Sequence, residues 1–539
     1  MKNKPLLFAI CGFLTICIIV CGVFAFQHFT RIGVKSTGEH KIANKLNDSI
    51  DIVPYLKDNN IYYYEKGEKT LIAQNVYDKD NENPVYTADY AIDKTSKRMI
   101  YTSDSALYFY DGTKNIKIAE GVTAWRTSEG LESIAFTTKY QEREDLGSLF
   151  LYQNGVITSL DDGVNPTTVR FSQSGNCIFA EKPNPYPQIR SKLFRYELDG
   201  TKTKLHDASY SVFWTNSDGS SVITGENDDD SLYSYRIFAK NFKKELNFAN
   251  VFYAEPSADQ SILFILYNYD YDMQKGTLAV VDLHSLKIKD IANQVSFFNL
   301  SCVTDSSKGV VYSICTDELQ GQYSIFYGDI KGNSTRLIKN TTEESLYTVA
   351  INSEKESGYI LTYGDTPNNG GIYYIKWKGD KLETTRYDLG YVDSLFYYEL
   401  TDTVTYIKNP ASGHGELYLL NADGTKSLMA KQCGVTYNNS SEQYTSASVL
   451  ANDTKTAMYF LDIVTGSTAV DTKGTLKLSS GITVDENVSS AYMEAPITCG
   501  NIEEIYYLKE TDEGKDMYYF NGKESILIET GVDGIIELN

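Results

Sequence analysis

LYFYDG, at residues 107–112, is one copy of a phrase that recurs through this 539-residue sequence. Each copy is an aromatic-rich stretch that ends in a polar turn, and a second short apolar stretch follows the turn. Aromatic and β-branched residues favour strands, whereas Gly, Asp and Asn favour the bends between them, so the phrase predicts a β-hairpin. Later copies read LFLYQNG at 149–155, LFRYELDG at 193–200, LYLLNADG at 417–424 and MYYFNG at 517–522.

A second phrase lies upstream of the first and supplies another hairpin to each period. It is a polar turn that leads into a short β-branched or aromatic run, as in SQSGNCIFA at 172–180, NSDGSSVIT at 216–224, PSADQSILF at 256–264 and TDSSKGVVY at 304–312. Most successive copies start about 40 to 50 residues apart, which is the period of a four-stranded propeller blade. The sequence therefore predicts an all-β chain of about eleven blade-like units.

About eleven units exceed the usual 4 to 8 blades of one propeller. Two consecutive propellers are the simplest arrangement, and we place them at residues 50–320 and 321–539. One unusually large ring is the alternative. Helical spacing is hard to find after the first 26 residues, which agrees with tandem four-stranded blades.

The turn and strand phrases resemble the blades of TolB-like propellers, of dipeptidyl-peptidase-IV N-terminal propellers and of low-density-lipoprotein-receptor-related propellers of bacterial surface proteins. In those families the turn typically reads Ser-Pro-Asp-Gly, and NSDG at residues 216–219 is the nearest copy here. The resemblance covers most of residues 50–539. It implies a propeller architecture, on which unrelated functions occur.

The N-terminal segment 6–26, from Leu6 to Phe26, is uncharged and mostly apolar, and follows the basic tail 1–5. Such a helix spans about 30 Å, the thickness of a bilayer core, so we predict a transmembrane signal anchor. Cleavage as a signal peptide is the alternative. We favour an orientation in which residues 1–5 are cytoplasmic, residues 27–49 form a juxtamembrane stalk and the propeller region is extracytoplasmic. Cationic residues on the C-terminal side of the segment oppose this orientation.

The chain is acidic, with 71 Asp and Glu against 50 Lys and Arg and a formal net charge of −21. Phosphate binding needs clustered cations, so nucleic acid is not an expected partner. Cysteine is sparse beyond residue 26, and Cys302 and Cys315 could pair across a hairpin. No spacing typical of a zinc site occurs.

No catalytic motif is found, so we expect neither an enzyme nor a cofactor. Dipeptidyl-peptidase-like chains carry a hydrolase domain with a G-x-S-x-G elbow, and this sequence has none. Phosphate-binding loops and the H-E-x-x-H motif are also missing. His206, His284 and His414 lie in different units, and His414 suits an exposed turn better than a catalytic base.

Two groups of residues are candidate binding sites. Asp78, Asp80 and Glu82 have part of the spacing of a calcium loop, with Asp89 eleven positions after the first, although Asn83 and Pro84 break the pattern and favour a solvated loop. Tyr267, Tyr269 and Tyr271 alternate with polar residues, so one face of a strand would be aromatic. Packing between blades explains this alternation, and a platform on which sugars stack is the functional alternative.

Three functions fit these observations. The first is a membrane-anchored extracytoplasmic propeller that binds a protein or a cell-envelope component, glycan included. The second is a propeller glycosidase or lyase, which needs carboxylates from several blades at the axis. The third is an accessory or sensory subunit of a membrane complex.

Overall fold

The computed structural model describes residues 52–536 with internal gaps. The gaps are residues 66, 77–88, 94–95, 140–145, 184–190, 207–210, 230–231, 240–243, 300–307, 318–321, 343, 353–354, 365–369, 379–380, 390–391, 399–400, 412–413, 439–442, 448, 452–457, 466–472, 490–496, 499–502 and 512–513. No helix in the described part of the chain is both long and apolar enough to cross a bilayer. The predicted anchor, stalk and calcium-loop acids Asp78, Asp80 and Glu82 lie outside the described residues.

The described chain is built from 45 strands and two short 3-10 helices, Glu129–Leu131 and Pro166–Thr168. The first half contains β1 (Val53–Lys57), β2 (Asn60–Glu65), β3 (Glu68–Ala73), β4 (Tyr90–Asp93), β5 (Arg98–Ser103), β6 (Ala106–Tyr110), β7 (Asn115–Ala119), β8 (Val122–Thr127), β9 (Ser133–Lys139), β10 (Gly147–Gln153), β11 (Val156–Val164), β12 (Arg170–Phe171), β13 (Cys177–Pro183), β14 (Ser191–Glu197), β15 (Lys202–His206), β16 (Ser211–Thr215), β17 (Val222–Asp229), β18 (Leu232–Ala239), β19 (Lys244–Val251), β20 (Tyr253–Pro256), β21 (Ile262–Asp270), β22 (Lys275–Asp282) and β23 (Ile288–Val295).

The second half continues the same pattern of short strands. It contains β24 (Phe297–Asn299), β25 (Gly309–Asp317), β26 (Gln322–Asp329), β27 (Ser334–Thr342), β28 (Glu344–Asn352), β29 (Ser357–Gly364), β30 (Gly370–Lys378), β31 (Lys381–Leu389), β32 (Val392–Tyr398), β33 (Thr403–Ala411), β34 (His414–Asn421), β35 (Lys426–Asn438), β36 (Gln443–Ala447), β37 (Val449–Ala451), β38 (Met458–Thr465), β39 (Lys473–Leu478), β40 (Thr483–Ser489), β41 (Ile497–Thr498), β42 (Ile505–Thr511), β43 (Gly514–Phe520), β44 (Ser525–Glu529) and β45 (Gly534–Ile535).

These strands form ten antiparallel sheets in a propeller arrangement, which confirms the all-β propeller that the repeats and the family resemblance predicted. Nine sheets contain one four-stranded unit each, and the largest contains two, β37–β40 and β41–β44. Among the described residues, the pair Val488 with Lys509 joins these two. We number the units from the N-terminus, so that unit 1 is β1–β3 with β45, unit 2 is β4–β7, and unit 11 is β41–β44; β36 is an additional strand of unit 9.

The two sequence phrases occupy constant places in the units. The LYFYDG-type phrase forms the third strand and the turn after it, as in β6, β10, β14, β34 and β43. The second phrase forms the turn before the second strand, as in β13, β17 and β21. In these turns a side chain binds the backbone: Asn216 Oδ1 accepts from Ser221 N (2.9 Å), and Ser172 Oγ accepts from Cys177 N (3.2 Å). The turn residues therefore satisfy backbone donors that the strands leave unpaired.

Hydrophobic clusters between neighbouring units form the core. One cluster joins units 6 and 7 through Phe264 and Tyr312, and another joins units 7 and 8 through Val311 and Ile360. A third joins the last unit to the first, because Met517 packs with residues of β1 and β45. Each unit thus buries both of its faces against its neighbours, as repeat architectures require.

The C-terminal strand β45 completes unit 1. Ile535 pairs with Tyr55, and Gly534 pairs with Leu56, so the two ends of the described chain share a sheet. The division at residue 320 separates β25 from β26, which pair along one another within unit 7. The arrangement as two propellers, 50–320 and 321–539, stays a prediction whose boundary falls inside a sheet.

Candidate functional site

One end of the sheets carries both the turns between second and third strands and the connections from one unit to the next, because consecutive strands are antiparallel. We call this end the upper face. The turn between β5 and β6 at this face is tight: Asp104 and Ser105 have φ of 51° and 61°, and the flanking residues Ser103 and Ala106 pair directly. Two consecutive left-handed residues are typical of the two-residue hairpin turn.

A cavity of about 310 Å³ opens on the upper face between units 2 and 3. Its polar lining includes Asn75, Asp89, Ser103, Asp104, Thr123 and Trp125. Backbone hydrogen bonds fix the position of its edge: Val76 N donates to Asn59 O (3.0 Å), and Val122 N donates to Ser105 O (2.9 Å). The cavity wall is therefore built by connections that are fixed to the turns of the preceding unit.

Asp89 is the acidic side chain that is most firmly held in this cavity. Trp125 Nε1 and Thr102 Oγ1 both donate to its Oδ2, each at 2.8 Å. The backbone of Asp89 is also fixed, since Thr102 N donates to its carbonyl oxygen at 3.0 Å. The carboxylate is thus oriented by groups from units 2 and 3 before any ligand arrives.

A second feature of the upper face is a patch of aromatic side chains on units 5, 6 and 7. We call it the aromatic patch and define it as Phe213, Tyr233, Tyr235, Phe252, Tyr253, Tyr269, Tyr271 and Phe297. Phe213 stacks on Tyr235 with ring centroids 5.1 Å apart, and Phe252 stacks on Tyr269 at 4.2 Å. Phe213 and Tyr233 are each 40% exposed, so the patch presents ring surface to solvent.

The backbone of unit 5 is shaped to present these rings. A bulge between Val212 and Trp214 interrupts the pairing of β16 with β17 and leaves Phe213 unpaired. Gly225, on β17, allows the ring of Tyr235 to lie against the backbone, because a Cβ there would lie 2.6 Å from that ring. Bulges and strand glycines commonly redirect side chains in this way.

The three predicted tyrosines do not share one face. Asn268 has φ of 48°, and the pairing of β21 with β22 shifts between Tyr267 and Asp270. This bulge turns Tyr267 toward unit 5, where its ring contacts Phe248, whereas Tyr269 and Tyr271 pack in the cluster between units 6 and 7. Only Tyr269 and Tyr271 therefore belong to the aromatic patch, and the role of the three in sugar stacking stays a prediction.

The Tyr267 hydroxyl donates to Asp290 Oδ1 at 3.1 Å. Burial, followed by this hydrogen bond, raises the pKa of Tyr267 above its ordinary value. Burial also raises the pKa of Tyr253, whose hydroxyl donates to Glu255 Oε2 at 2.9 Å. These phenols are neutral at physiological pH, so they offer hydrogen bonds and ring faces.

Sequence reasoning missed a set of acid clusters between units. Asp388, at the end of β31, accepts from Tyr406 OH (2.5 Å), Lys408 Nζ (2.7 Å) and Lys426 Nζ (3.2 Å) of unit 9. Asp485 of unit 10 accepts likewise from Tyr507 and Lys509 of unit 11. These two clusters share a sequence pattern from which they could have been predicted. The pattern is a Tyr-x-Lys triplet on a second strand with an acid 18 to 22 residues before its tyrosine.

The other clusters follow the same plan. Glu529 of unit 11 contacts Tyr55, Lys57 and Lys69 of unit 1. Asp161 contacts Lys182, Tyr196 and Lys202 of unit 4; burial alone would raise its pKa, but the hydrogen bonds from both lysines and the tyrosine outweigh burial and lower it. Each of these acids accepts side-chain hydrogen bonds from the next unit, so the clusters help to join neighbouring units.

The remaining candidate residues are not assembled into a site. His284 is exposed near a turn, and His414 begins β34 in another unit. Within the described ranges, no three His, Cys, Asp or Glu residues are placed to hold a metal ion. Cys302 lies outside the described residues, so its pairing with Cys315 stays a prediction.

Comparison with known proteins does not identify a family. No family model matches the chain. No curated protein matches it. Among solved structures, a eukaryotic initiation factor is 11% identical, with 74% of this chain and 98% of that chain covered and a TM-score of 0.38. A structure from a study of two prolyl endopeptidases is 13% identical, with 74% and 58% covered and a TM-score of 0.28.

Proposed function

We propose that this protein is a membrane-anchored extracytoplasmic β-propeller that binds a protein or a cell-envelope component through its upper face. One observation carries the proposal: the upper face combines a recessed polar cavity with exposed aromatic rings. Tyr and Phe are enriched where proteins bind partners, and a propeller holds such groups at fixed geometry. The uncharged segment 6–26 supports attachment to the membrane.

A first experiment tests the location. Intact cells that express the full chain are treated with protease, and a second sample is lysed before treatment. An extracytoplasmic propeller is digested in both samples. Digestion only after lysis would place the propeller in the cytoplasm and reject this part of the proposal.

A second experiment tests the binding face. The full chain, purified in detergent, is incubated with the cell-envelope fraction, and the Phe213→Ala/Tyr233→Ala/Tyr271→Ala variant is compared with the parent. The control variant replaces three exposed apolar residues of fourth strands, Ile157→Ala/Leu428→Ala/Leu527→Ala. We expect only the first variant to lose retention on the envelope fraction. Equal retention of both variants would reject the upper face as the binding surface.

We further propose that the cavity is not catalytic. Asp89 and Asp104 both line it, and both belong to unit 2, whereas the enzyme hypothesis required acids from several units. The full chain is therefore expected to release no reducing ends from oligosaccharides. Turnover that Asp89→Asn or Asp104→Asn abolishes would instead establish a glycosidase.

A further inference from the structure

We propose that the cavity between units 2 and 3 binds a neutral sugar unit of an envelope glycan. The inference rests on the proposed function, because it names the class of envelope component that the upper face takes. It concerns Asp89, Asp104, Asn75 and Trp125. Of these the sequence analysis considered only Asp89, as a position in the incomplete calcium loop.

The charge of the cavity selects against anions. Asp89 and Asp104 are the charged side chains of its lining, and among the described residues that form it there is no Lys, Arg or His. A phosphate or carboxylate would meet carboxylates with no compensating cation. A ligand with many hydroxyl groups and no negative charge fits this lining, because carboxylates, amides and hydroxyls can all bind its O–H groups.

The hydrogen bonds of Asp89 leave room for a ligand. Both bonds that its carboxylate accepts from described side chains end on Oδ2, from Trp125 and Thr102. Oδ1 is thereby available to accept from a hydroxyl group, and a carboxylate makes stronger bonds to hydroxyls than a neutral acceptor does. Because the side chain is already held, little conformational entropy is lost when the ligand binds.

The size and walls of the cavity agree with a sugar unit. Its volume of about 310 Å³ is at the lower end of the range for small-molecule sites, roughly 300 to 1,000 Å³. Trp125 adds an aromatic surface beside the polar groups, and aromatic rings pair an apolar face with a polar tip. A pyranose has the complementary character, with C–H groups on its faces and hydroxyls around its edge.

The test uses the small number of tryptophans. The chain has three, and Trp214 and Trp377 lie in other units, each packed against a hydrophobic cluster. The full-length Trp214→Phe/Trp377→Phe variant therefore has Trp125 as its one tryptophan, whose emission is followed with excitation that tyrosine does not absorb. It is titrated in detergent with glucose, galactose, mannose, N-acetylglucosamine and chitotetraose, each to about 50 mM, which detects dissociation constants in the millimolar range.

We expect at least one of these saccharides to change the emission of Trp125 in a saturable way. In the same background, Asp89→Asn and Asp104→Asn are expected to weaken that binding by about tenfold or more, since each removes a charged hydrogen-bond partner. Asp162→Asn, at an exposed position of unit 3, is the matched control and leaves binding unchanged. Circular dichroism shows whether each variant keeps its β structure, and Asn75→Ala replaces any variant that does not.

Three results would overturn the inference. They are no saturable response to any saccharide, a response that Asp89→Asn, Asp104→Asn and Asn75→Ala all leave unchanged, and a response to calcium chloride alone without a saccharide response. Envelope retention that depends on Phe213, Tyr233 and Tyr271 but not on the cavity residues would keep the proposed function while rejecting the sugar site. Absence of both the saccharide response and the retention that depends on Phe213, Tyr233 and Tyr271 would reject both proposals.

Discussion

Asp388 is a buried acid that accepts hydrogen bonds from Tyr406, Lys408 and Lys426 of the next unit of the propeller. Its side chain is 7% exposed, and Lys408, which contacts it, is 19% exposed. Two charges that are removed from water in this way must be paired and hydrogen-bonded, and here one hydroxyl and two ammonium groups supply the bonds. The pair therefore specifies which strands meet, and loss of one partner leaves the other charge unpaired.

Asp388→Asn tests this role. The substitution keeps the shape of the side chain but removes its charge, so Lys408 and Lys426 remain without a counterion. We expect the free energy of unfolding to fall by about 2 kcal/mol. Urea denaturation measures it, and Asp162→Asn, at an exposed position, is expected to change it by less than about 0.5 kcal/mol. Equal effects of the two substitutions would show that the cluster does not contribute.

Glu529 predicts a pH dependence at the contact between the last and first units. Burial would raise its pKa, but Lys57 and Lys69 outweigh burial and lower it to about 2. A carboxyl whose pKa is lower in the folded state stabilises the protein above its unfolded pKa, and this contribution is lost as pH falls toward the folded value. The contribution is therefore complete above about pH 5 and disappears toward pH 2.

Glu529→Gln should consequently lower stability at neutral pH by about 1 kcal/mol and have little effect near pH 2. Denaturation midpoints at a series of pH values between these limits measure the difference from the parent. Glu524→Gln, at an exposed position before the same strand, serves as the control. A difference that stays constant down to pH 2 would contradict the ion-pair explanation.

At the scale of elements, the second strand of a unit is the most regular part of the repeat. Most of these strands carry a buried aromatic residue, such as Tyr55, Tyr406 and Tyr507. Its ring usually stacks on an aromatic residue of the third strand, for example Tyr406 on Tyr418 with centroids 5.5 Å apart. Such cross-strand pairs stabilise a sheet from within. The hydroxyls of Tyr55, Tyr406 and Tyr507 also reach an acid of the preceding unit.

The short strand β45 should matter more than its length suggests. Ile535 is fully buried and pairs with Tyr55, so β45 completes the sheet of the first unit with residues from the end of the chain. Ile535→Asp places a charge in this interface and is expected to destabilise the protein by about 4 kcal/mol or more. Leu527→Asp, on β44 where the side chain is 48% exposed, is the control and should be tolerated. Thermal melting followed by circular dichroism distinguishes the two, and equal melting temperatures would contradict the closing role of β45.

At the scale of the whole molecule, continuity between units is the main feature. Clusters connect units 6, 7 and 8 across the predicted division at residue 320, and another cluster connects unit 11 with unit 1. A unit that cannot bury both faces is not stable alone, so terminal units depend on these contacts.

Expression of residues 50–320 and 321–539 as separate chains tests the division into two propellers. The cut separates β25 from β26 and removes β45 from unit 1. We therefore expect both fragments to aggregate, whereas the chain 50–539 is soluble and unfolds cooperatively. Two soluble fragments, each with a cooperative unfolding transition, would establish two propellers.

The sequence by itself determined the class of the fold, because the period of its phrases and the chemistry of its turns are local properties. The turn at Gly219, where φ is 68°, is an example. This turn and the strand that follows it can be recognised from neighbouring residues alone. The tertiary structure alone decided which residues meet. Asn268 reverses the alternation of a strand, Asp388 finds its partners in the next unit, and Asp89 is joined to Trp125. These outcomes depend on backbone bulges and on contacts between units, which no local pattern of residues specifies.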